Sequence, residues 1–369
     1  MQGRMIATKK VLCLIDGLGS GGAQRQLVGL ANLLQEKGYA VLFVWYHDSD
    51  FYKPYLQEQR IAYVQLGANN KLQKFYRVCK VVREFRPDTI ISYIDGPAMM
   101  TCAFKLLGLT VAKIIVSERA VIQKVTRHQR IKYNLYRWAD KVVSNAQEQT
   151  NLINNTFPFL REKSLTIRNF VDTSYFQPSC HSEPKKDKAI VMLVVGRISR
   201  QKNPILLMKA IKKVQYEGIA IKVKWYGGKS HGQECYFDEV QENCKMMNFG
   251  DTFCFFSPTI KVLEEYQRCD VFCLPSLFEG FPNVVCEATS CGKPILCSSL
   301  NDISFIVHDG ENGYLFDPTS VEDMAQKIMK YCMLTAEERY LMGKRSREIA
   351  LQHLSEASFV QKYIDIIDA

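Results

Sequence analysis

The sequence of 369 residues lacks several features that mark other classes of protein. No apolar run approaches the roughly 20 residues that a membrane-spanning helix needs, and the first apolar stretch, VLCLI, is too short for the core of a signal peptide. No CxxC pair, no His and Cys set with zinc-binding spacing and no GxSxG elbow occurs. These absences argue against a membrane-spanning protein, a zinc module and a serine hydrolase of the GxSxG type.

The cysteines do not form the framework of a secreted protein. There are 13 of them, an odd number that cannot pair completely, and they are scattered inside apolar runs such as VFCL and VVCEA. We therefore expect buried, reduced thiols in a cytosolic protein.

Positive charge is concentrated in the first half of the chain, whose formal net charge is +10 at pH 7. Residues 1–172 hold 25 Lys and Arg against 13 Asp and Glu, whereas the remaining residues hold 23 against 25. This asymmetry indicates that the first half faces an anionic partner, such as nucleic acid, phospholipid head groups or a phosphorylated acceptor. An ordinary solvated surface is the alternative.

Short apolar runs alternate with amphipathic helical patterns in both halves of the chain. Strands that are apolar throughout and separated by helices predict a parallel sheet covered on both faces. The pattern lapses near residues 170–185 and restarts with AIVMLVVGRIS. The sequence therefore predicts an α/β protein with two doubly wound, Rossmann-like domains at 1–175 and 186–352, and a last helix at 353–369 that packs back toward the first domain. A cleft between the domains is the expected ligand site.

A glycine-rich turn, DGLGSGGAQRQ, follows the first predicted strand. Gly17, Gly19 and Gly22 fit the GxGxxG pattern, which makes an NAD(P)-dependent oxidoreductase the alternative function. Such an enzyme needs an acidic ribose ligand about 20 residues further on, and Asp48 is a loose match at 26 residues beyond Gly22. With either function, Gly21 and Gly22 present amides that suit phosphate at a helix N-terminus. The alternative interpretation of this stretch is a plain strand-to-helix turn that binds no ligand.

The DSD motif at residues 48–50 has the DxD form that holds a divalent metal in one class of sugar transferase. It follows a predicted strand, but nothing else around it supports a metal site. We therefore predict no metal ion.

A second loop, VVGRISRQKNP, follows the first strand of the second domain. Arg197 and Lys202 lie there on the rim that faces ligands in open α/β sheets. Being five residues apart on a loop, they can converge on one polyanion. Arg200 is expected to face solvent, and a solvated basic loop is the alternative.

The stretch LFEGFPNVVCEATSCGKP holds two glutamates on either side of a predicted helix start. Pro282 is expected as the first helical residue, and Gly292 with Pro294 ends the helix. Glu279 then lies in the loop and Glu287 on the second turn. Were both helical, they would be about 12 Å apart, beyond the roughly 5–9.5 Å of glycosidase acid/base pairs. The spacing instead favours two contacts on an extended ligand whose anionic middle lies at the helix N-terminus.

Several segments occur together in one known family. GRISRQKNP, LPSLFEGFPNVVCEATSCGKPIL and VHDGENGYLFDP, with GGAQRQ, RWADKVVSNAQ and IRNFVDTSYFQP earlier in the chain, cover nearly its whole length. This set resembles the family-4 retaining glycosyltransferases. The resemblance implies the GT-B architecture, two Rossmann-like domains facing across a cleft. It also implies transfer of a hexose or N-acetylhexosamine from a nucleotide sugar, expected to carry UDP.

The resemblance also implies roles for individual residues. Arg197 and Lys202 would neutralise the departing diphosphate, Glu279 would hold donor-sugar hydroxyls and phosphate, and Glu287 would accept the ribose hydroxyls. The other implied donor-binding positions are Gly21, Gly22, Pro258, Gly280, Phe281, Pro282 and Asn283. Such enzymes usually need neither a metal nor a cofactor, so none is expected.

The first domain would hold the acceptor. Glu118 and Arg119 end a predicted strand at a position where the family often has a sugar-contacting residue. The stretch from Glu118 to Lys141 carries seven Arg and Lys among aromatic and aliphatic residues. It favours an anionic bilayer or a polyprenyl-diphosphate acceptor, with a solvated helix as the alternative.

These features predict the partners of the protein. They are a nucleotide-sugar donor, a lipid-linked or polysaccharide acceptor and an anionic membrane surface, but no nucleic acid. The expected enzyme is cytoplasmic, peripheral on the inner face of the cytoplasmic membrane, and builds capsule, O-antigen or lipopolysaccharide. A non-catalytic basic binding module is a further alternative, which would leave the second-domain motifs unexplained.

Overall fold

The computed structural model describes residues 8–19, 21–67, 70–119, 122, 125–179, 189–230, 232–259, 261–300 and 302–369. The chain divides into two compact units. Unit 1 comprises residues 1–169 and 356–369, and unit 2 comprises residues 170–355. The division thus falls before residue 170, earlier in the chain than the predicted end of the first domain at 175.

Unit 1 is built on a seven-stranded parallel sheet. Its strands are β1 (Lys10–Leu14), β2 (Ala40–Trp45), β3 (Ala62–Gln65), β4 (Thr89–Tyr93), β5 (Lys113–Glu118), β6 (Lys141–Ser144) and β7 (Ser164–Thr166). Their order is β3-β2-β1-β4-β5-β6-β7. In β1 every residue after Lys10 is buried, as expected for a strand covered on both faces. The order reverses between β1 and β4, which is where open α/β sheets bind ligands.

Helices connect these strands: α1 (Gly22–Glu36), α2 (Lys53–Glu58), α3 (Lys71–Phe85), α4 (Asp95–Leu106), α5 (Arg127–Leu135) and α6 (Gln147–Thr156). Val78 of α3, Phe104 of α4 and Tyr133 of α5 pack into one hydrophobic cluster with strand residues such as Leu12 and Ile90. These three helices therefore cover the same face of the sheet.

Unit 2 repeats the scheme with a six-stranded sheet. Its strands are β8 (Ile190–Val195), β9 (Ile221–Tyr226), β10 (Phe253–Phe256), β11 (Val271–Leu274), β12 (Ile295–Ser298) and β13 (Gly313–Phe316). Their order is β10-β9-β8-β11-β12-β13, all parallel, with the reversal between β8 and β11. Met192 and Leu193 pack in different hydrophobic clusters because successive strand residues face opposite sides of the sheet.

The helices of unit 2 are α7 (Pro204–Tyr216), α8 (Glu234–Met246), α9 (Val262–Arg268), α10 (Asn283–Ser290), α11 (Val321–Cys332) and α12 (Ala336–His353). The last helix, α13 (Glu356–Asp368), belongs to unit 1. Tyr363 of α13 hydrogen-bonds the Tyr93 hydroxyl at 2.9 Å, and Lys113 donates to the carbonyls of Ile366 and Ile367. The end of the chain is thus fixed to the strands of unit 1.

The cysteines that the structure describes are all free thiols, and most are buried. Cys235 is exposed, and Cys180 lies outside the described residues. Burial raises the pKa of Cys13 to about 12, so this thiol stays protonated. Across the described ranges, no helix combines the length and the apolar character needed to cross a membrane.

Candidate functional site

The predicted diphosphate-binding residues lie where β8 and β11 end, at the switch point of the unit 2 sheet. Arg197 follows β8 and is exposed, and Lys202 closes a short 3₁₀ turn. Gln201 ties this loop to the one after β11. Its carbonyl accepts the Leu277 amide at 2.8 Å, and its side chain donates to the Phe278 carbonyl at 2.8 Å. The two loops of the predicted site therefore hold each other in place.

Lys202 and Glu279 form an ion pair inside this site. Their Nζ and Oε1 atoms are 2.6 Å apart, and only 15% and 12% of the two side chains are exposed. The lysine stem lies against Gly196, where an added Cβ would be 3.1 Å from the lysine Cε. Two residues predicted to touch one ligand are thus brought together.

Arg200 differs from its neighbours in the same loop. It is exposed, as the sequence predicts, and its guanidinium pairs with Glu239 at 2.9 Å and lies over the Tyr236 ring. Arg200 therefore points away from the Lys202–Glu279 pair, toward α8.

The loop after Glu279 leads into α10. The helix begins at Asn283, one residue later than predicted, and Pro282 caps it in an extended conformation. The Pro282 carbonyl accepts the amides of Val285 and Cys286 at 3.1 and 3.3 Å. The ring of Phe281 is buried in the core, so only its backbone can face a ligand. The start of α10 offers amides and a positive dipole end to an anion at this edge.

Glu287 lies on the second turn of α10, as predicted, with 3% of its surface exposed. The hydroxyl of Tyr266, a buried residue of α9, donates to its Oε2 at 2.9 Å. Tyr266 therefore fixes the orientation of the carboxylate. Sequence reasoning missed Tyr266, because its contact with Glu287 depends on how α9 and α10 pack.

Two glycines allow close approach of the loops beside β8 and β9. A Cβ on Gly227 would lie 1.9 Å from the Gly196 carbonyl oxygen, so no larger residue fits there. A Cβ on Gly228 would meet Pro258 at an ordinary 3.5 Å. Pro258, one of the implied donor-binding residues, follows β10, is exposed and lies next to Gly228. The YGG sequence after a strand is a signal that could have identified Gly227.

In unit 1 the glycine-rich turn is held by the loop after β2. The Leu18 amide donates to the Ser49 carbonyl and hydroxyl, and a Cβ on Gly17 would lie 2.6 Å from that hydroxyl oxygen. Gly21 caps α1 and Gly22 is its first residue. The DSD segment thus supports the turn. Within the part of the chain that the structure describes, no group of three or more His, Cys, Asp or Glu is placed to share a metal ion.

Glu118, expected at a sugar-contacting position, is instead buried inside unit 1. It is 2% exposed, and its carboxylate accepts hydrogen bonds from Lys132 at 2.8 Å, Tyr136 at 2.7 Å and Tyr133 at 3.3 Å. Burial and the Glu118 charge raise the pKa of both tyrosines, so each keeps the proton it donates. The physical reason is Lys132, which is itself buried and needs a counter-charge. Lys132 was also counted among the membrane-facing cations, and it does not reach the surface.

Arg119 is engaged inside unit 1 as well. Its guanidinium donates to Asn169 at 2.6 Å, to Tyr363 at 2.9 Å and to Tyr93, and it lies over the Tyr93 ring. Arg119 therefore links β4, α13 and Asn169, the last residue of unit 1 before the chain enters unit 2. Its predicted acceptor contact stays a prediction.

Two family models match the chain and together span most of it. The model described as Glycosyltransferase Family 4 matches residues 20–175, and Glycosyl transferases group 1 matches residues 179–349. The chain is a family-4 glycosyltransferase. The resemblance drawn from its motifs is thereby confirmed, and the second model spans the Lys202–Glu279 pair and Glu287.

Relatives of this family-4 glycosyltransferase include several bacterial proteins. An uncharacterized glycosyltransferase of Haemophilus influenzae is 26% identical over 92% of this chain and 94% of its own. A Campylobacter jejuni α-1,4-N-acetylgalactosaminyltransferase named for a diphospho-undecaprenol-linked glycan is 22% identical, covering 86% of this chain and 88% of its own. The amylovoran biosynthesis glycosyltransferase AmsD of Erwinia amylovora is 24% identical over 78% and 80%.

Solved structures match the fold of this family-4 glycosyltransferase at low sequence identity. Anabaena HepE in complex with UDP-glucose matches with a TM-score of 0.83 and 18% identity over 97% of this chain and 99% of its own. A glycosyltransferase of Rickettsia africae matches with a TM-score of 0.84 and 16% identity over 97% and 98%. The predicted fold, GT-B with two Rossmann-like domains, is confirmed.

Proposed function

We propose that this glycosyltransferase moves a hexose or N-acetylhexosamine from a UDP-sugar to a lipid-linked or lipopolysaccharide glycan, with retention at the anomeric carbon. The observation that carries the proposal is the Lys202–Glu279 pair, 2.6 Å apart at the carboxyl ends of β8 and β11, with the exposed Arg197 in the same loop as Lys202. This arrangement offers cations to a diphosphate and a carboxylate to sugar hydroxyls.

The proposed reaction breaks the bond between the anomeric carbon and the diphosphate oxygen, which takes the electron pair. The acceptor hydroxyl attacks the anomeric carbon from the face that the leaving group departs, and its proton passes to the departing diphosphate oxygen. Arg197, Lys202 and the amides at the start of α10 stabilise the charge on the departing diphosphate, which is where such sites gain most of their rate. Glu279 holds the sugar, and Glu287, oriented by Tyr266, holds the ribose. No metal or cofactor is required in this scheme.

The donor and acceptor classes are supported by what the matching proteins are named for. HepE was solved with UDP-glucose, the Campylobacter enzyme is named for an undecaprenol-linked acceptor, and AmsD is named for amylovoran biosynthesis. We propose a comparable role in surface-glycan synthesis, with the enzyme cytoplasmic and peripheral on the inner face of the cytoplasmic membrane.

A thermal-shift titration tests the nucleotide class, because only a ligand that binds the folded state raises the unfolding midpoint. We expect UDP and UDP-sugars to raise it and NADH to leave it unchanged. A preference for NADH would instead favour the oxidoreductase alternative. Turnover that EDTA abolishes would contradict metal independence.

Variants of the loop after β8 test the residue roles. We expect Arg197→Ala to lower turnover, and Glu287→Ala to weaken UDP binding. Arg200→Ala is the matched control, since Arg200 is a nearby arginine paired with Glu239 outside the site. Wild-type kinetics in both site variants would refute the assignments.

A further inference from the structure

The outer surface of α3, α4, α5 and the turn Tyr136–Trp138 forms one continuous face of unit 1. The helices lie side by side: Phe75 of α3 contacts Phe104 of α4 at a ring distance of 4.8 Å, and Lys132 of α5 pairs with Asp95 of α4 at 3.0 Å. Their inner residues share one cluster with the sheet. We call the outer surface of these four segments the basic-apolar face.

Large apolar side chains are exposed across this face. They are Leu72, Tyr76, Leu106, Ile131 and Trp138, with Leu107 directly after α4. Leu72 and Tyr76 are 84% and 70% exposed, and their spacing of four residues places them on the same side of α3. Single exposed apolar residues are normal on a soluble surface, but a set spread over neighbouring helices indicates an interaction site.

The same face is strongly basic. Its exposed cations are Lys71, Arg77, Lys80, Arg83, Arg127, Arg130 and Arg137. The four segments contain two carboxylates, and each has a lysine partner: Glu84 pairs with Lys80, and Asp95 pairs with Lys132. By contrast, α13 of the same unit carries Glu356, Asp365 and Asp368 against Lys362. These four segments are therefore far more basic than α13 of the same unit.

We propose that the basic-apolar face binds the surface of an anionic phospholipid bilayer. Arginine and lysine would contact lipid phosphates, while Trp138, Ile131 and Leu72 would enter the boundary between head groups and acyl chains. A nucleic acid would use the cations but leave the aliphatic side chains in water. The biological meaning of this surface rests on the proposed function, which needs access to a lipid-linked acceptor.

Vesicle co-sedimentation tests the proposal with the full chain and two vesicle compositions, phosphatidylglycerol with phosphatidylcholine and phosphatidylcholine alone. We expect binding to the anionic vesicles only, weakening as salt is added. The double variant Leu72→Ser with Tyr76→Ser should lower partitioning roughly tenfold with an unchanged salt dependence. The triple variant Arg83→Gln, Arg127→Gln and Arg130→Gln should lower it roughly tenfold or more and flatten the salt dependence.

Matched variants in unit 2 control for general changes in charge and hydrophobicity. Leu341→Ser with Tyr340→Ser removes the same two residue types from exposed positions, and Lys209→Gln, Lys222→Gln and Lys245→Gln remove three exposed charges. Both should leave partitioning unchanged. Equal losses in the control and test variants would overturn the assignment of the face, as would binding to a DNA duplex without binding to vesicles.

UDP-induced thermal shifts, measured on the same proteins without vesicles, separate this inference from the proposed function. UDP binding that persists in every variant while anionic vesicles fail to bind the wild type would refute the membrane surface alone. Vesicle binding of the expected pattern by a protein that does not bind UDP would support the surface and refute the proposed UDP-sugar donor.

Discussion

Lys202 and Glu279 form an ion pair that is largely shielded from solvent. Water therefore cannot solvate either charge well if its partner is removed. Lys202→Met would leave the Glu279 carboxylate without the lysine. We expect the free energy of unfolding to fall by about 3 kcal/mol and turnover to fall on the order of 100-fold or more. Denaturant titration and steady-state kinetics at saturating donor measure the two effects.

Lys213→Met is the control for that substitution, because Lys213 pairs with Glu322 at an exposed position. An exposed pair of this kind adds little to stability, and turnover should not change. Equal losses of stability and turnover in the two variants would contradict the role given to the Lys202–Glu279 pair in the site.

Gly227 is the other residue on which the site geometry depends. Its missing Cβ makes room for the Gly196 carbonyl oxygen, which would be 1.9 Å away. Gly227→Ala must push the loop that carries Arg197 away, so we expect a loss of about 2–3 kcal/mol in stability and weaker UDP binding. Gly228→Ala should be tolerated, since its Cβ meets Pro258 at 3.5 Å. Thermal unfolding with and without UDP distinguishes the two, and a tolerated Gly227→Ala would contradict the close approach.

Among the elements of unit 2, α12 is joined to α10 and to the segment before β8 by one side chain. Arg347 donates to the carbonyls of Phe176, Ser290 and Thr173 at 2.8–3.0 Å and to the Ser290 hydroxyl. Arg347→Met would remove this donor from the three carbonyls. The Phe176 carbonyl would keep its hydrogen bond from the Ser290 hydroxyl, whereas a buried carbonyl that loses its only donor costs about 1–3 kcal/mol. We expect the denaturation midpoint of unit 2 to fall clearly.

The matched control is Arg345→Met on the same helix. Arg345 pairs with Glu311 and Glu348, both at 3.4 Å, and all three side chains are partly exposed to solvent. Its loss should shift stability by less than about 1 kcal/mol. If both variants unfolded at the same denaturant concentration, the role given to Arg347 in joining these elements would be wrong.

Elements and their order could be predicted because the signals are local. Apolar strands between amphipathic helices indicate a Rossmann-like unit, and the proline and glycines around α10 place it to within one residue. The direction in which a side chain points at the end of a strand depends instead on packing with elements elsewhere in the sequence. Glu118 looked like a ligand contact, yet it turns inward because α5 brings a buried Lys132 beside it. The contacts of Tyr266 and Gln201 likewise depend on packing between elements far apart in sequence.

At the scale of the whole molecule, the chain ends in the unit where it began. Buried residues of α13 include Phe359, Tyr363 and Ile367, and the Tyr363 hydroxyl bonds Tyr93 and receives a hydrogen bond from Arg119. Removing this side chain opens a cavity against the sheet and takes one hydrogen-bond partner each from Tyr93 and Arg119. We expect Tyr363→Ala to destabilise unit 1 by about 3–5 kcal/mol.

Hydrogen exchange resolved by peptide measures whether that effect is confined to one unit. Peptides from β4 and β5 should exchange faster in Tyr363→Ala, whereas those from β8 and β9 should keep their protection, because the partners of Tyr363 lie in unit 1. Lys362→Ala, at the exposed neighbouring position, should change neither set. Equal loss of protection in both sheets would mean that the two units unfold as one cooperative structure and that α13 stabilises the molecule as a whole.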